Sequence, residues 1–210
     1  MNFKDLVKIV GNLPCFTTRF LSAGENLSQV RLQLVRWVRD GRLVKLHKGL
    51  YTLAEPYRKI KPDSFSIANA LKSHSYISLQ SALAWHGLIP EFVPAITSVT
   101  TARPQTIQTP LGRFEYRHIA VNLFWGYQKV ELVDKQEAFV ATPEKAILDL
   151  AYLTAGGDKQ EFLEELRLQN FGKLNKDILW QYAKKANIPK LKRAAANIEH
   201  ILETGEGVEL

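Results

Sequence analysis

Basic and amide side chains recur between residues 28 and 48, and such side chains donate hydrogen bonds to the phosphates and base edges of nucleic acids. Arg36 and Gln33 could donate to base edges, and Leu32 could contact a thymine methyl group. Lys45 and its basic neighbours would mainly hold phosphate. We therefore expect double-stranded DNA as a partner. The predicted contact residues are Thr18, Ser28, Gln29, Arg31, Leu32, Gln33, Arg36, Arg39, Arg42, Lys45, His47 and Lys48.

The charge of the chain is distributed unevenly. Residues 1–62 hold 12 Lys and Arg against 4 Asp and Glu, a balance of +8. Residues 63–210 hold 16 against 17, a balance of −1. Because a basic surface is the electrostatic footprint of nucleic-acid binding, we expect the contact in the first third of the chain.

Three helices are predicted before residue 42. Apolar residues recur at helical spacing from Phe3 to Leu13. A second, short helix is predicted to begin at Thr17 or Thr18 and to turn at Gly24, since threonine suits an N-cap and glycine a helix end. The third helix is predicted to follow these two and to end before residue 41.

The third predicted helix has two different faces. Ser28 suits its N-cap and Gly41 its end. At about 100° per residue, one side is apolar and would pack on the first two helices, through Val30, Leu34, Trp37 and Val38. The opposite side would face outward and carries Gln29, Leu32, Gln33, Arg36 and Arg39.

A basic hairpin is predicted directly after the third helix. Two strand-like segments, Leu43–Leu46 and Leu50–Leu53, are joined by a turn signal that contains glycine. Its positive charges lie where a wing would meet phosphate, although His47 equally suits a turn residue without a special role. Three helices followed by a basic hairpin are typical of a winged helix-turn-helix, which places one helix in the major groove.

The composition and element pattern predict two domains of an α+β protein. Residues 1–54 form the predicted winged helix-turn-helix domain. Residues 55–62 are the predicted linker, since residues 54–62 hold two prolines and three basic residues within nine positions. Residues 63–210 form a larger α+β domain with a helical C-terminal tail. Its predicted helices are Phe65–Leu71, Leu79–His86, a helix from Pro143, Lys159–Leu168, Lys176–Ala186 and Lys190–Leu202, and its predicted strands are Ile96–Thr101, Arg113–His118 and Lys129–Val133.

The sequence of the larger domain shows no clear catalytic or metal-binding pattern. Its histidines lack HxxxH or HExxH spacing, and the chain has one cysteine and no phosphate-binding loop. Glu115 and Arg117 give only a degenerate acid-x-base pattern, better interpreted as a solvated strand face. We therefore expect no catalytic residue, metal ligand or cofactor, and no enzyme activity. Lys145 and Asp149, four residues apart on a helix, are predicted to form a surface ion pair.

The sequence predicts a cytoplasmic protein without a membrane contact. No apolar run approaches the roughly 18 residues that a spanning helix needs. The first residues lack the apolar core and small-residue cleavage site of a signal peptide.

Three sequence blocks occur in an order that resembles a known family. They are the basic N-terminal segment ending in GLYTL (Gly49–Leu53), SYISLQSALAWHGLIPE (Ser75–Glu91) and VATPEKAILDLAY (Val140–Tyr152). Together they resemble the AbiE-type (AbiEi) antitoxins of type IV toxin-antitoxin systems, which act in abortive infection. The resemblance covers residues 3–155.

The resemblance implies a bifunctional protein. The N-terminal domain would repress its own operon at repeated promoter sites. The C-terminal domain would counter a nucleotidyltransferase-like toxin without forming a stable complex with it. An alternative function is a stand-alone winged-helix transcriptional regulator whose second domain senses a ligand or dimerises.

Overall fold

A computed structural model describes residues 1–22, 26–91 and 93–204 as a mixed α+β fold with two β-sheets. The smaller sheet belongs to the first 53 residues and the larger sheet to residues 75–141. Among the described residues, no helix combines the length and apolarity needed to cross a bilayer.

The N-terminal part contains three helices and three short strands. In chain order they are α1 (Phe3–Val10), β1 (Phe16–Thr17), α2 (Thr18–Leu21), α3 (Leu27–Arg39), β2 (Leu43–His47) and β3 (Leu50–Leu53). The predicted helices and hairpin are confirmed. Strand β1 was not predicted, since two residues are too few to show the alternation of a strand. It pairs with β3 and gives the antiparallel order β1-β3-β2.

The helix starts in this part are capped by side chains. Thr17 caps α2, as predicted, because its hydroxyl accepts from the backbone N–H of Phe20 at 3.1 Å. The predicted N-cap Ser28 is wrong. Asn26 caps α3, and its side-chain oxygen accepts from the N–H of Ser28 at 2.9 Å. Asparagine is as good a cap as serine and stands one position before the helix, so it takes that role. The turn predicted at Gly24 lies outside the described residues.

Two hydrophobic clusters divide the core. The smaller cluster combines one side of α1 and α3 with the N-terminal sheet, and includes Leu6, Val30, Leu34 and Trp37. The hairpin contributes to both clusters, because Leu46 and Leu50 are buried in the larger one. Pairing between β2 and β3 skips Leu46, and such a β-bulge re-aims a side chain. The hairpin is therefore anchored on the rest of the fold.

The larger part has a six-stranded mixed sheet and six helices among the described residues. Its strands are β4 (Ser75–Ile77), β5 (Ala95–Thr100), β6 (Gln105–Thr109), β7 (Gly112–His118), β8 (Tyr127–Glu131) and β9 (Glu137–Ala141), in the order β6-β7-β5-β4-β9-β8. Its helices are α4 (Ser64–Leu71), α5 (Leu79–Trp85), α6 (Pro143–Leu153), α7 (Gln160–Glu165), α8 (Lys176–Ala186) and α9 (Pro189–Thr204).

Two tyrosines show how helices cover the sheet. Tyr76 pairs with Val99 of β5, whereas Tyr116 pairs with the neighbouring Ser98. Successive residues of a strand point to opposite faces, so the two tyrosines lie on opposite faces. The Tyr76 hydroxyl donates to a carboxylate of α6, and the Tyr116 hydroxyl donates to a carbonyl of α4 at 2.7 Å. Helices α4 and α6 therefore cover opposite faces of the sheet.

The surface ion pair predicted in α6 is wrong, because Lys145 and Asp149 are both buried at 3% exposure. Asp149 also accepts hydrogen bonds from Tyr76 at 2.9 Å and Ser78 at 2.8 Å. Helix α6 packs against α5, α8, α9 and β9, so its charged pair lies inside the molecule. Burial lowers the pKa of Lys145 and raises the pKa of Asp149, opposing their mutual attraction.

Cys15, directly before β1, has a thiol that ionises only at high pH. It is half-buried, and burial raises its pKa to about 11. Because the thiolate is the reactive form, we expect iodoacetamide at pH about 8 to alkylate Cys15 about a hundredfold more slowly than the unfolded chain. The rate should rise with pH as the thiol ionises. Mass spectrometry of timed samples, with and without urea, measures both rates, and equal rates would contradict the expectation.

Candidate nucleic-acid interface

A cleft of about 750 Å³ separates helices α2 and α3 from the hairpin. One wall is a single row of α3, formed by Leu27, Arg31 and Val35, which are four residues apart and share a side of the helix. The remaining lining comes from α2 with its two flanking residues and from the hairpin, namely Thr17, Thr18, Arg19, Ser22, Lys45, Lys48, Gly49 and Tyr51.

Four basic side chains line this cleft. Arg19 belongs to α2, Arg31 to α3, and Lys45 and Lys48 to the hairpin. All four are exposed, and none forms an ion pair with another described residue. No acidic side chain among the described residues lines the cleft. The cleft therefore presents uncompensated positive charge, which favours an anionic polymer.

Backbone contacts fix the spacing between the walls. The N–H of Thr18 donates to the carbonyl of Gly49 at 2.9 Å, which ties the start of α2 to the hairpin turn. Gly49 has a φ of +75°, a conformation that glycine adopts without strain. The Thr18 side chain is itself buried, and its hydroxyl lies 3.5 Å from the same carbonyl. Thr18 therefore fixes the start of α2, which bears Arg19, beside the turn that bears Lys48.

A second exposed surface lies beside the cleft on the outer side of α3. Leu32 is 61% exposed, and Arg36 and Arg39 are exposed as predicted. Ser28 and Gln29 are exposed at the first turn of the same helix. None of these five side chains lines the cleft. One row of α3 side chains thus lines the cleft, and a neighbouring row faces solvent.

Three other predicted residues lie apart from the cleft. Gln33 is half-buried, and its Oε1 is enclosed without a hydrogen-bond partner among the described residues. The Arg42 guanidinium stands over the Phe3 ring, 5.2 Å from its centroid, and so packs on α1. His47 is half-buried at the end of β2. Of the predicted residues, the structure gathers Thr18, Arg31, Lys45 and Lys48 in the cleft.

Arg19 is the cleft residue that the sequence analysis missed. The sequence contains only a weak indication of a role for Arg19, because one arginine in a short helix resembles an ordinary solvated charge. It follows directly after a buried threonine at the start of α2. Only the folded arrangement brings it to the same cleft as Lys48.

Glu115 and Arg117, considered above as an acid-x-base pattern, lie on the side of β7 that borders another open cavity, of about 480 Å³. Glu115 pairs with Arg113 at 2.6 Å. Arg117 is exposed, and its guanidinium reaches the Leu153 carbonyl at 3.4 Å. The position fits the interpretation of these residues as a solvated strand face.

Comparison with solved structures finds proteins of similar fold. The chain is similar to the crystal structure of the RV2827C protein from Mycobacterium tuberculosis, with a TM-score of 0.57 and 13% sequence identity. The similarity covers 97% of this chain and 77% of the other chain. At this level of identity, the likeness shows a shared fold. No family model matches the sequence, and no curated protein matches it either.

Proposed function

We propose that the protein is a DNA-binding repressor of its own promoter, with residues 1–54 acting as a winged helix-turn-helix. The observation that carries this proposal is the cleft between α3 and the hairpin, whose four basic side chains form no ion pair with a described residue. In this mode, the outer row of α3 enters the major groove. The phosphate strand beside that groove passes through the cleft, between Arg31 on one wall and Lys48 on the other.

The two rows of α3 would then have different tasks. Arg31 and the hairpin lysines contact phosphate, which positions the protein without reading sequence. Arg36 and Arg39 on the outer row face the base edges, where an arginine recognises guanine through two hydrogen bonds. The exposed Leu32 beside them can contact a thymine methyl group.

We further propose that the protein is the antitoxin of a type IV toxin-antitoxin system, acting in the cytoplasm on a nucleotidyltransferase-like toxin. This half of the proposal rests on the sequence resemblance to the AbiE-type antitoxins. The near-neutral balance of residues 63–210 offers no large excess of charge for holding a partner. Neutralisation without a stable complex is consistent with that balance.

The two proposed activities should separate by mutation. Arg36→Ala and Arg39→Ala remove exposed side chains opposite the buried Val30 and Leu34, so the fold should remain intact. Each variant should lose about 1 to 3 kcal/mol of binding to the preferred sequence. Repression of a promoter reporter should therefore fall, while rescue of growth from the toxin persists.

Both assays use the full chain and matched protein levels. Co-expression with the product of the neighbouring gene supplies the rescue assay. Loss of rescue in Arg36→Ala and Arg39→Ala would contradict the division of labour. Repression without any rescue by the unaltered chain would instead favour the stand-alone regulator.

A further inference from the structure

A third cavity, of about 430 Å³, lies where residues 58–64 meet the turn between β8 and β9. This volume falls within the range of roughly 300 to 1,000 Å³ that is typical of small-molecule sites. Its apolar walls include Ile67 of α4, Leu111 of the β6–β7 turn and Val133. Leu111 and Val133 are among the exposed large hydrophobic residues of the protein. The cavity therefore offers apolar surface that is open to a ligand.

Two positively charged side chains, which can donate hydrogen bonds, also line the cavity. Arg58 is 14% exposed, and its Nη2 donates to Glu55 at 2.6 Å. Its Nε is enclosed and has no acceptor among the described residues. An enclosed donor without an acceptor costs free energy that a bound acceptor would recover. Lys61 also lines the cavity and forms no ion pair with a described residue.

Two carboxylates line the same cavity. Asp63 is the N-cap of α4, since its Oδ1 accepts a hydrogen bond from the N–H of Phe65 at 2.8 Å. Asp134 is exposed, forms no hydrogen bond or ion pair with a described side chain, and has a φ of 56°. The cavity thus combines two cationic side chains with one uncommitted carboxylate.

The walls are held together before any ligand arrives. Gln136 is buried, and its Nε2 donates to the carbonyl of Lys61 at 3.0 Å. Its Oε1 accepts from the N–H of Asp63 at 2.9 Å. These two bonds fix the segment that bears Arg58 and Lys61 against the turn that bears Asp134. Such preorganisation lowers the entropic cost of binding.

We propose that this cavity binds a small zwitterion with an apolar body, of the amino-acid type. The carboxylate of the ligand accepts from Arg58 and Lys61, its ammonium group donates to Asp134, and its apolar side chain lies against Ile67, Leu111 and Val133. The proposal goes beyond DNA binding and antitoxicity and does not depend on either.

The test uses L-phenylalanine and two matched probes, 3-phenylpropionate without the amine and phenethylamine without the carboxylate. Amide chemical shifts of the full chain are followed by NMR during titration. L-Phenylalanine should shift the amides of residues 58–64 and 133–136 with saturation, at a Kd below about 1 mM. Each single-charge probe should bind about tenfold more weakly, because it leaves one charged partner unpaired.

Three variants locate the site. Lys61→Gln and Asp134→Asn alter exposed side chains, and asparagine tolerates the backbone conformation at residue 134. Each should weaken binding of L-phenylalanine about tenfold. Lys59→Gln is the matched control, since Lys59 is exposed in the same segment and does not line the cavity, and it should bind as the unaltered chain does.

Several results would overturn the proposal. These are shifts that do not saturate by about 10 mM, equal binding of the single-charge probes, or shifts confined to the cleft at α3. An equal loss in Lys59→Gln would also overturn it.

Discussion

Asp149→Asn is expected to lower the free energy of unfolding by about 3 to 5 kcal/mol, because removing one partner of a buried ion pair leaves the other charge uncompensated. Asp149 and Lys145 are each 3% exposed, and Tyr76 and Ser78 complete the network around the carboxylate. Asparagine can still accept from those two hydroxyls. The loss therefore reports mainly on the ammonium group of Lys145, which keeps the Tyr76 hydroxyl as an acceptor at 2.8 Å but loses its counter-charge.

Urea unfolding of the full chain measures this loss of free energy from the midpoint of the transition and from the slope of the unfolding free energy against urea concentration. Glu203→Gln is the matched control, because Glu203 and Lys176 form a pair at 3.0 Å that is 60% and 41% exposed. That variant should change stability by no more than about 1 kcal/mol. Adding Lys145→Met to Asp149→Asn removes both charges and should restore at least half of the loss. If Asp149→Asn costs no more than Glu203→Gln, the buried network does not hold α6 as argued.

The double variant Arg31→Gln, Lys48→Gln should bind promoter DNA about a hundredfold more weakly than the unaltered chain. Each substitution removes one charge-assisted contact with phosphate, worth about tenfold in affinity. The two side chains line opposite walls of the cleft, are exposed and make no hydrogen bond with a described residue. Their removal should therefore leave stability within about 0.5 kcal/mol.

Fluorescence anisotropy with a labelled duplex measures the affinity over a range of salt concentrations. The slope of log K against log salt should become shallower by about 1.8, since each phosphate contact contributes about 0.9. Lys159→Gln with Lys184→Gln is the control, because both lysines are exposed in the C-terminal helical region. The control pair should bind nearly normally. An equal weakening by the two double variants would mean that net charge, rather than the cleft, determines binding.

Local patterns were sufficient to predict the three N-terminal helices and the hairpin. The two-faced pattern of α3 and the glycine turn of the hairpin are short-range signals, and both elements form where predicted, although Asn26 and not Ser28 caps α3. Pro143 after Thr142 likewise predicted the start of α6, where Thr142 accepts from the N–H of Lys145. Such signals are encoded within a few residues and do not depend on distant contacts.

Features that depend on distant contacts were not predicted. Strands β4, β6 and β9 were missed. Short β4 is buried at every position and therefore lacks alternation. The buried pair in α6 resembled a surface pair, because spacing alone does not show how many elements surround a helix. Its apolar residues on all sides were the available signal, since such a helix is buried.

The cleft could not be predicted from the sequence for the same reason, since distant contacts form it. Arg19 and Lys48 are 29 positions apart in sequence and line one cleft in the fold, where the Thr18 N–H bonds to the hairpin turn. Arg42, by contrast, fitted the predicted basic hairpin in sequence but packs on Phe3 in the structure. Charge counting pointed to the first third of the chain, where the cleft lies, without identifying which charges share a surface.

The central claim is that the α3 side of this cleft contacts duplex DNA. It is tested most directly by cleavage from a reagent placed on α3. Val35→Cys and Leu32→Cys put an iron-EDTA group at positions that are 62% and 61% exposed, and Ala196→Cys on α9 is the control. Cys15 can remain, because burial keeps its thiol protonated.

A gel shift first verifies that each conjugate binds the promoter duplex. The account predicts strand cleavage within the operator by the Val35→Cys and Leu32→Cys conjugates, and background cleavage by Ala196→Cys and by the chain with Cys15 alone. If the α3 conjugates bind the duplex but cut it no more than the Ala196→Cys conjugate does, the cleft is not the DNA-binding surface.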